Sequence, residues 1–170
     1  NNSYSLLTSN KLNRYTGSDK LDNSKRINYG IDISKDLLKF SLSQSYEFDA
    51  NSNYNKDLGL NDYMSDLLGR ISFDGLNNNL QHNFRFNVDQ GLIKSQSFIY
   101  KNTNILGTSK FTYSQERVEN NSILENSSET LDVSFSSNKF LNYSKINFSS
   151  KFDLIKDKPT KYNIGYSYFD

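Results

Sequence analysis

Leu38-Lys39-Phe40-Ser41-Leu42-Ser43-Gln44-Ser45-Tyr46-Glu47-Phe48 alternates apolar and polar side chains, with Gln44 the one interruption. Leu38, Phe40, Leu42, Tyr46 and Phe48 form one set, and Lys39, Ser41, Ser43, Ser45 and Glu47 the other. Successive side chains of an extended chain point to opposite faces, so this stretch reads as a strand with one apolar and one polar face. The same period recurs in both directions. Ile27, Tyr29, Ile31 and Ile33 alternate with Asn28, Gly30, Asp32 and Ser34. Leu67, Gly69, Ile71 and Phe73 alternate with Leu68, Arg70, Ser72 and Asp74. Leu80, His82, Phe84, Phe86 and Val88 oppose Gln81, Asn83, Arg85, Asn87 and Asp89.

Further along, Leu131, Val133 and Phe135, then Ile146, Phe148, Phe152 and Leu154, then Tyr162, Ile164, Tyr166 and Tyr168 repeat the pattern. Residues 92–101 and 105–115 alternate less cleanly. With a partial strand at 4–9, the count is about nine to ten. Composition agrees with strands. Ala50 is the single alanine, while Asn and Ser abound, and these compete for backbone hydrogen bonds and weaken helices. The 12 Tyr and 12 Phe favour strands and argue against a disordered polar chain.

The expected architecture is all-β: an antiparallel up-and-down meander. Connections fall near 10–25, 35–37, 49–63, 75–78, 90–91, 102–104, 116–127, 137–140 and 155–159. In a meander alternate connections lie at opposite ends, which places the three long ones, 10–25, 49–63 and 116–127, together. Outer-membrane barrels show that asymmetry, with short periplasmic turns and longer extracellular loops. Strands of about 9–11 residues fit a tilted membrane crossing better than the usual soluble strand of about 5–6. The polar set is rich in Ser, Asn, Gln and Gly, as a wet lumen allows. The reading is a segment of a transmembrane outer-membrane β-barrel, one partial domain over residues 1–170. A soluble β-domain whose apolar faces meet each other is the alternative.

Several classes fall away. The 170 residues carry 20 basic and 19 acidic side chains, net +1, which lacks the cationic surplus of nucleic-acid binding. One histidine and no cysteine exclude the usual zinc ligand sets. No GxxxxGK loop is present, and no apolar run approaches the roughly 20 residues of a transmembrane helix. The first residues, Asn-Asn-Ser-Tyr-Ser, show no signal peptide. No cofactor and no enzymatic activity are expected.

Two stretches go beyond pattern. Leu12-Asn13-Arg14-Tyr15-Thr16-Gly17-Ser18-Asp19-Lys20, followed by Arg26-Ile27-Asn28-Tyr29-Gly30, resembles the NRF-x-G-x-DR … YG segment of the lipopolysaccharide-assembly protein family LptD. Gln44, Tyr46 and Phe48 resemble its G-Q-x-Y-x-F strand, and Ser65, Asp66 and Gly69 its SD-x-x-G strand. Ser43, Lys20 and Tyr15 depart conservatively from that pattern. The motifs lie in the first seventy residues, and the remainder is similar only in strand rhythm.

The resemblance implies a piece of a much larger barrel, with the family's periplasmic jellyroll and further strands outside this sequence. It implies lipopolysaccharide and outer-membrane lipid as ligands, a lipoprotein plug of the LptE type and a periplasmic Lpt bridge as partners, and the outer membrane of a Gram-negative bacterium as the location. A porin-type or other outer-membrane channel shares everything but the motifs.

Asp66, Arg70 and Arg85 are the candidate lumen charges, close enough across the 75–78 turn for ion pairing or for meeting a phosphorylated sugar. An ordinary ion pair is the plainer reading. Asp19 and Asp22, with Lys11, Arg14, Lys20, Lys25 and Arg26, fall in or beside the first long connection, where acids could hold divalent cations but a solvated loop is simpler. His82 falls on the apolar set, as an interfacial ring rather than a catalyst.

Overall fold

The computed structural model describes residues 25–49, 60, 63–120, 123–138 and 143–168. The strand expected at 4–9, the connection 10–24, and Asn13, Arg14, Gly17 and Asp19 lie outside the described residues. Nine strands follow in order: β1 Arg26–Lys35, β2 Leu38–Glu47, β3 Leu67–Asp74, β4 Asn78–Asn87, β5 Leu92–Asn104, β6 Gly107–Asn120, β7 Ile123–Ser137, β8 Ser144–Asp153 and β9 Lys158–Tyr168. Each pairs antiparallel with the next, giving one nine-stranded meander. Among the described residues β1 and β9 do not pair with each other, so the sheet is open.

Local chemistry makes the turns. Asp36 takes φ 51° in the two-residue turn between β1 and β2, and Asp157 takes φ 48° before β9. Asp is among the few side chains that adopt this left-handed region readily. At two other turns, and again in the turn before β9, a strand-terminal Asn or Asp side chain accepts backbone N–H bonds. Asn87 Oδ1 accepts from Gln90, Asn104 Oδ1 from Leu106 and Gly107, and Asp153 Oδ1 from Ile155 and Lys156. Such side chains mimic a backbone turn, which gives part of the Asn-rich composition a use.

Tight connections at 36–37, 75–77 and 105–106 lie at one end, with 138–143. At the other end lie 48–66, 88–91, the β6–β7 turn and 154–157. The connection expected over 116–127 is largely strand instead. β6 and β7 pair out to Asn120 and Ile123, beyond the last β5 partner of β6, Glu116. Val118, Ile123 and Leu124 fall among charged and amide residues there without a period of two, so the stretch shows no alternation to read. Three register shifts, at Arg85/Phe86, Glu116/Arg117 and Lys151/Phe152, cluster towards this same end. Bulges there add twist and bend the strands.

Register fixes the faces. Ile33, Phe40, Ile71, His82, Phe98, Tyr113, Leu131 and Phe152 form one unbroken row of partners across eight strands. Tyr29, Ile31, Leu42, Phe73, Phe84, Phe86, Phe148, Ile164 and Tyr166 share that face, as the alternation predicts. Asp32, Arg70, Arg85, Asp132 and Lys151 occupy the other, with Glu47.

Burial inverts the soluble pattern. Ile31 is 56% exposed and Ile164 83%, whereas Ser45 and Glu47 on the polar face are 0% and 1% exposed. Leu60 and Leu68 are the only buried apolar side chains among the described residues. Leu68 pairs with Ser43 and Arg85, on the polar side.

Candidate functional site

The most deeply buried polar groups gather where β2, β3 and β4 approach the long 48–66 connection. Gln44 ties three elements together. The Tyr29 hydroxyl donates to its Oε1 at 2.7 Å, and its Nε2 donates to the Ser65 carbonyl at 2.8 Å. One residue on, the Ser45 amide donates to Ser65 Oγ at 2.8 Å, and Ser45 Oγ donates to Asn28 Oδ1 at 2.6 Å. Tyr46 pairs with Met64, and the Ser65 amide donates to the Ser45 carbonyl, so residues 63–66 continue the ladder towards β3.

Asp66 stands one residue before β3 rather than within it. Its carboxylate, 2% exposed, lies 3.5 Å from Arg85 Nε and accepts a 2.9 Å hydrogen bond from Asn87 Nδ2. Burial pushes this carboxyl above its ordinary value, against the opposing pull of Lys94, Arg85 and the Asn87 amide. Lys94 is itself buried.

Arg70 does not join the pair. It faces Asn83 directly across β3 and β4, and its Nε donates to Asn83 Oδ1 at 2.8 Å, while Asn83 Nδ2 donates to Ser97 Oγ. Of the three charges singled out in the sequence, two meet and the third enters a separate polar row.

Gly69 faces Phe84 across the same hairpin, and the space a side chain would take at Gly69 holds the Phe84 ring. Gly30 pairs with Ser43, and a Cβ there would meet the Leu42 carbonyl. His82 stacks on Phe98 with centroids 3.9 Å apart and planes 4° apart, a packing role in the aromatic row. Phe48, just past β2, is exposed and meets Tyr46 edge-on.

On the apolar face the polar groups are marginal. Gln96 Nε2 donates to Gln115, Gln115 to Asn126, and Asn126 to Glu129, whose other oxygen accepts from the Tyr113 hydroxyl. At the opposite end the Tyr100 hydroxyl donates to Asn78. With Tyr29 on Gln44, three phenols thus keep their rings in the apolar band and their hydroxyls on its polar borders. None of these partnerships has a signal in a single sequence beyond the residue types.

Among the described residues no cluster of His, Asp and Glu is arranged to hold a metal, and no helix is long and apolar enough to cross a membrane. Comparison with protein-family models and with curated protein sequences finds no match.

Proposed function

We propose that this sheet is part of the wall of a transmembrane β-barrel in the outer membrane of a Gram-negative bacterium. The observation that carries the reading is the course of the apolar band over the exposed face. Near β1 the band includes the row Ile31, Leu42, Gly69 and Phe84, but that row turns polar at Gln96, Gln115 and Glu129. Near β9 it includes Phe135, Phe148 and Ile164, a row that is polar at Asn78, Asn102 and Ser109.

The band therefore crosses the pairing rows obliquely. Rows run perpendicular to the strands, so a band of constant level crosses them obliquely only when the strands tilt, as closure of a barrel requires. From Leu38 to Phe48 the chain rises about 33 Å, which at a tilt near 40° projects to about 25 Å, the height of an outer-membrane apolar band. Short turns at the 36–37 end, the long 48–66 connection opposite, and tyrosines at both borders add support. A soluble domain would cover such a face with a second layer, and among the described residues all strands belong to one sheet.

Within that class the more specific reading is lipopolysaccharide assembly of the LptD type, supported by the motif residues. Tyr29, Gln44, Ser65 and Asp66 stand together in one hydrogen-bonded junction at the end with the long connection. In this reading the whole protein inserts lipopolysaccharide into the outer leaflet, with a lipoprotein plug and a periplasmic bridge as partners and no catalysis of its own. Depletion of the whole protein tests it. An assembly factor loses surface lipopolysaccharide, whereas loss of solute uptake with intact surface lipopolysaccharide identifies a porin-type channel instead.

A further inference from the structure

The polar face of β5–β9 carries charge that its own residues do not balance. Register sets Lys101 directly opposite Lys110, and Lys151 directly opposite Lys161. Like charges facing each other across strands destabilise a sheet, and here the arrangement occurs twice in two adjacent rows. Asp132, opposite Lys151 and 3.5 Å from its ammonium, is the one acid in those rows over these strands. The next acid along β8, Asp153, is engaged by Lys156 at 3.1 Å and sits opposite Lys158. Four lysines against one aspartate leave a local charge of +3.

Lys110, Lys151, Lys161 and Asp132 line one concavity of about 240 Å³, floored by hydroxyl and amide groups that include Ser134 and Asn163. Lys101, Lys110 and Lys161 make no ion pair with a described residue. Elsewhere on this face two cations are matched by acids, Lys39 by Asp74 at 2.9 Å and Arg85 by Asp66, while Arg70 is held by the Asn83 amide.

We propose that this concavity binds a soluble polyvalent oxyanion bearing phosphate groups. Ammonium groups on β6, β8 and β9 can close on one multiply charged ligand there, with Lys101 of β5 beside Lys110 at its edge, which turns the like-charge cost of the empty sheet into a favourable interaction. The ligand is a soluble anion rather than a lipid headgroup, because the patch lies on the face opposite the apolar band. The site itself rests on strand register, so it and the bilayer reading can fail separately; only the choice of a soluble anion over a lipid headgroup rests on that reading.

The test is calorimetric titration of the whole protein with sodium tripolyphosphate at low ionic strength. One saturable site per chain is expected, weakening as salt screens the lysines. Lys110→Gln with Lys161→Gln should weaken binding at least about tenfold. Lys39→Gln, on the same face but paired with Asp74, should leave it unchanged. The double variant should also unfold no more easily than the parent in low salt, since the like-charge pairs are relieved. Absence of saturable binding to the parent protein, an unaffected double variant, or an equal loss in Lys39→Gln would each overturn the proposal.

Discussion

Ile71→Arg separates a lipid-facing surface from a water-facing one. Ile71 sits on β3 in the row shared by Phe40 and His82, near the middle of the apolar band, and is 44% exposed. If that exposure were to water, an apolar-to-charged change there would alter stability by no more than about 0.5 kcal/mol, as at other surface sites. If the face meets hydrocarbon, the guanidinium loses its hydration near the midplane and the cost is about 2–4 kcal/mol. In equilibrium terms that is roughly a 30- to 1000-fold change. Leu76 is the control. It lies in the turn after β3 and is fully exposed, so Leu76→Arg should cost only about 0–1 kcal/mol. The assay is reversible unfolding by guanidinium chloride of the protein folded into phosphatidylcholine vesicles, followed by circular dichroism. Phe84→Lys should also be costly, but the ring fills the space over Gly69, so part of its loss is packing in any solvent. Equal, small effects of Ile71→Arg and Leu76→Arg would refute the bilayer assignment.

Arg85→Met leaves the buried Asp66 carboxylate without its paired cation and should cost about 3–5 kcal/mol at neutral pH. Losing Arg85 raises the folded-state Asp66 pKa further, so protonation on acidification favours the fold; the deficit should be largest above the carboxylate range and shrink as pH falls, which unfolding midpoints against pH will show. Gly69→Val drives a branched side chain into the Phe84 ring and should cost about 1–3 kcal/mol in thermal unfolding, partly recovered by Phe84→Ala in the same chain. Gln44→Leu removes the acceptor of the Tyr29 hydroxyl and a donor to the Ser65 carbonyl and should cost about 1–3 kcal/mol, more than Tyr29→Phe at about 1 kcal/mol, by denaturant midpoints.

The meander and its two faces were legible because one physical signal, period-two alternation, recurs through most strands and is not masked by a second layer. Ile27 to Ile33 and Leu80 to Phe86 show it without interruption. It failed at Glu116–Asn126, where Val118, Ile123 and Leu124 sit among charged and amide residues without a period of two, and where Asn126 links Arg117 to Glu129 across the β6–β7 hairpin. It blurred in β5, where the register shift at Arg85/Phe86 displaces Leu92 and Ile93 from the period.

The candidate charges were legible as residue types, but their partners were not. Asp66 meets Arg85 because Leu68 pairs with Arg85 and the chain before β3 continues along the same ladder, a consequence of register. Sequence position groups Arg70 with the same cluster, and the β3–β4 register instead sets it opposite Asn83. Lys101 facing Lys110 is likewise invisible until the β5–β6 pairing is known.

The central claim, that the exposed apolar face meets lipid, is tested most directly by a site-by-site accessibility scan of β2. These 170 residues hold no cysteine, so single nitroxide labels can be attached at cysteines substituted one at a time from Leu38 to Glu47, with any cysteine elsewhere in the whole protein first replaced by serine. With the whole protein in phospholipid vesicles, labels at Leu38, Phe40 and Leu42 should collide with dissolved oxygen and be shielded from a water-soluble nickel chelate. Labels at Lys39, Ser41 and Ser43 should show the reverse or be shielded from both. High accessibility of Phe40 and Leu42 to the nickel chelate, equal to that of a label at Leu76, would show that the face lies in water and contradict the account.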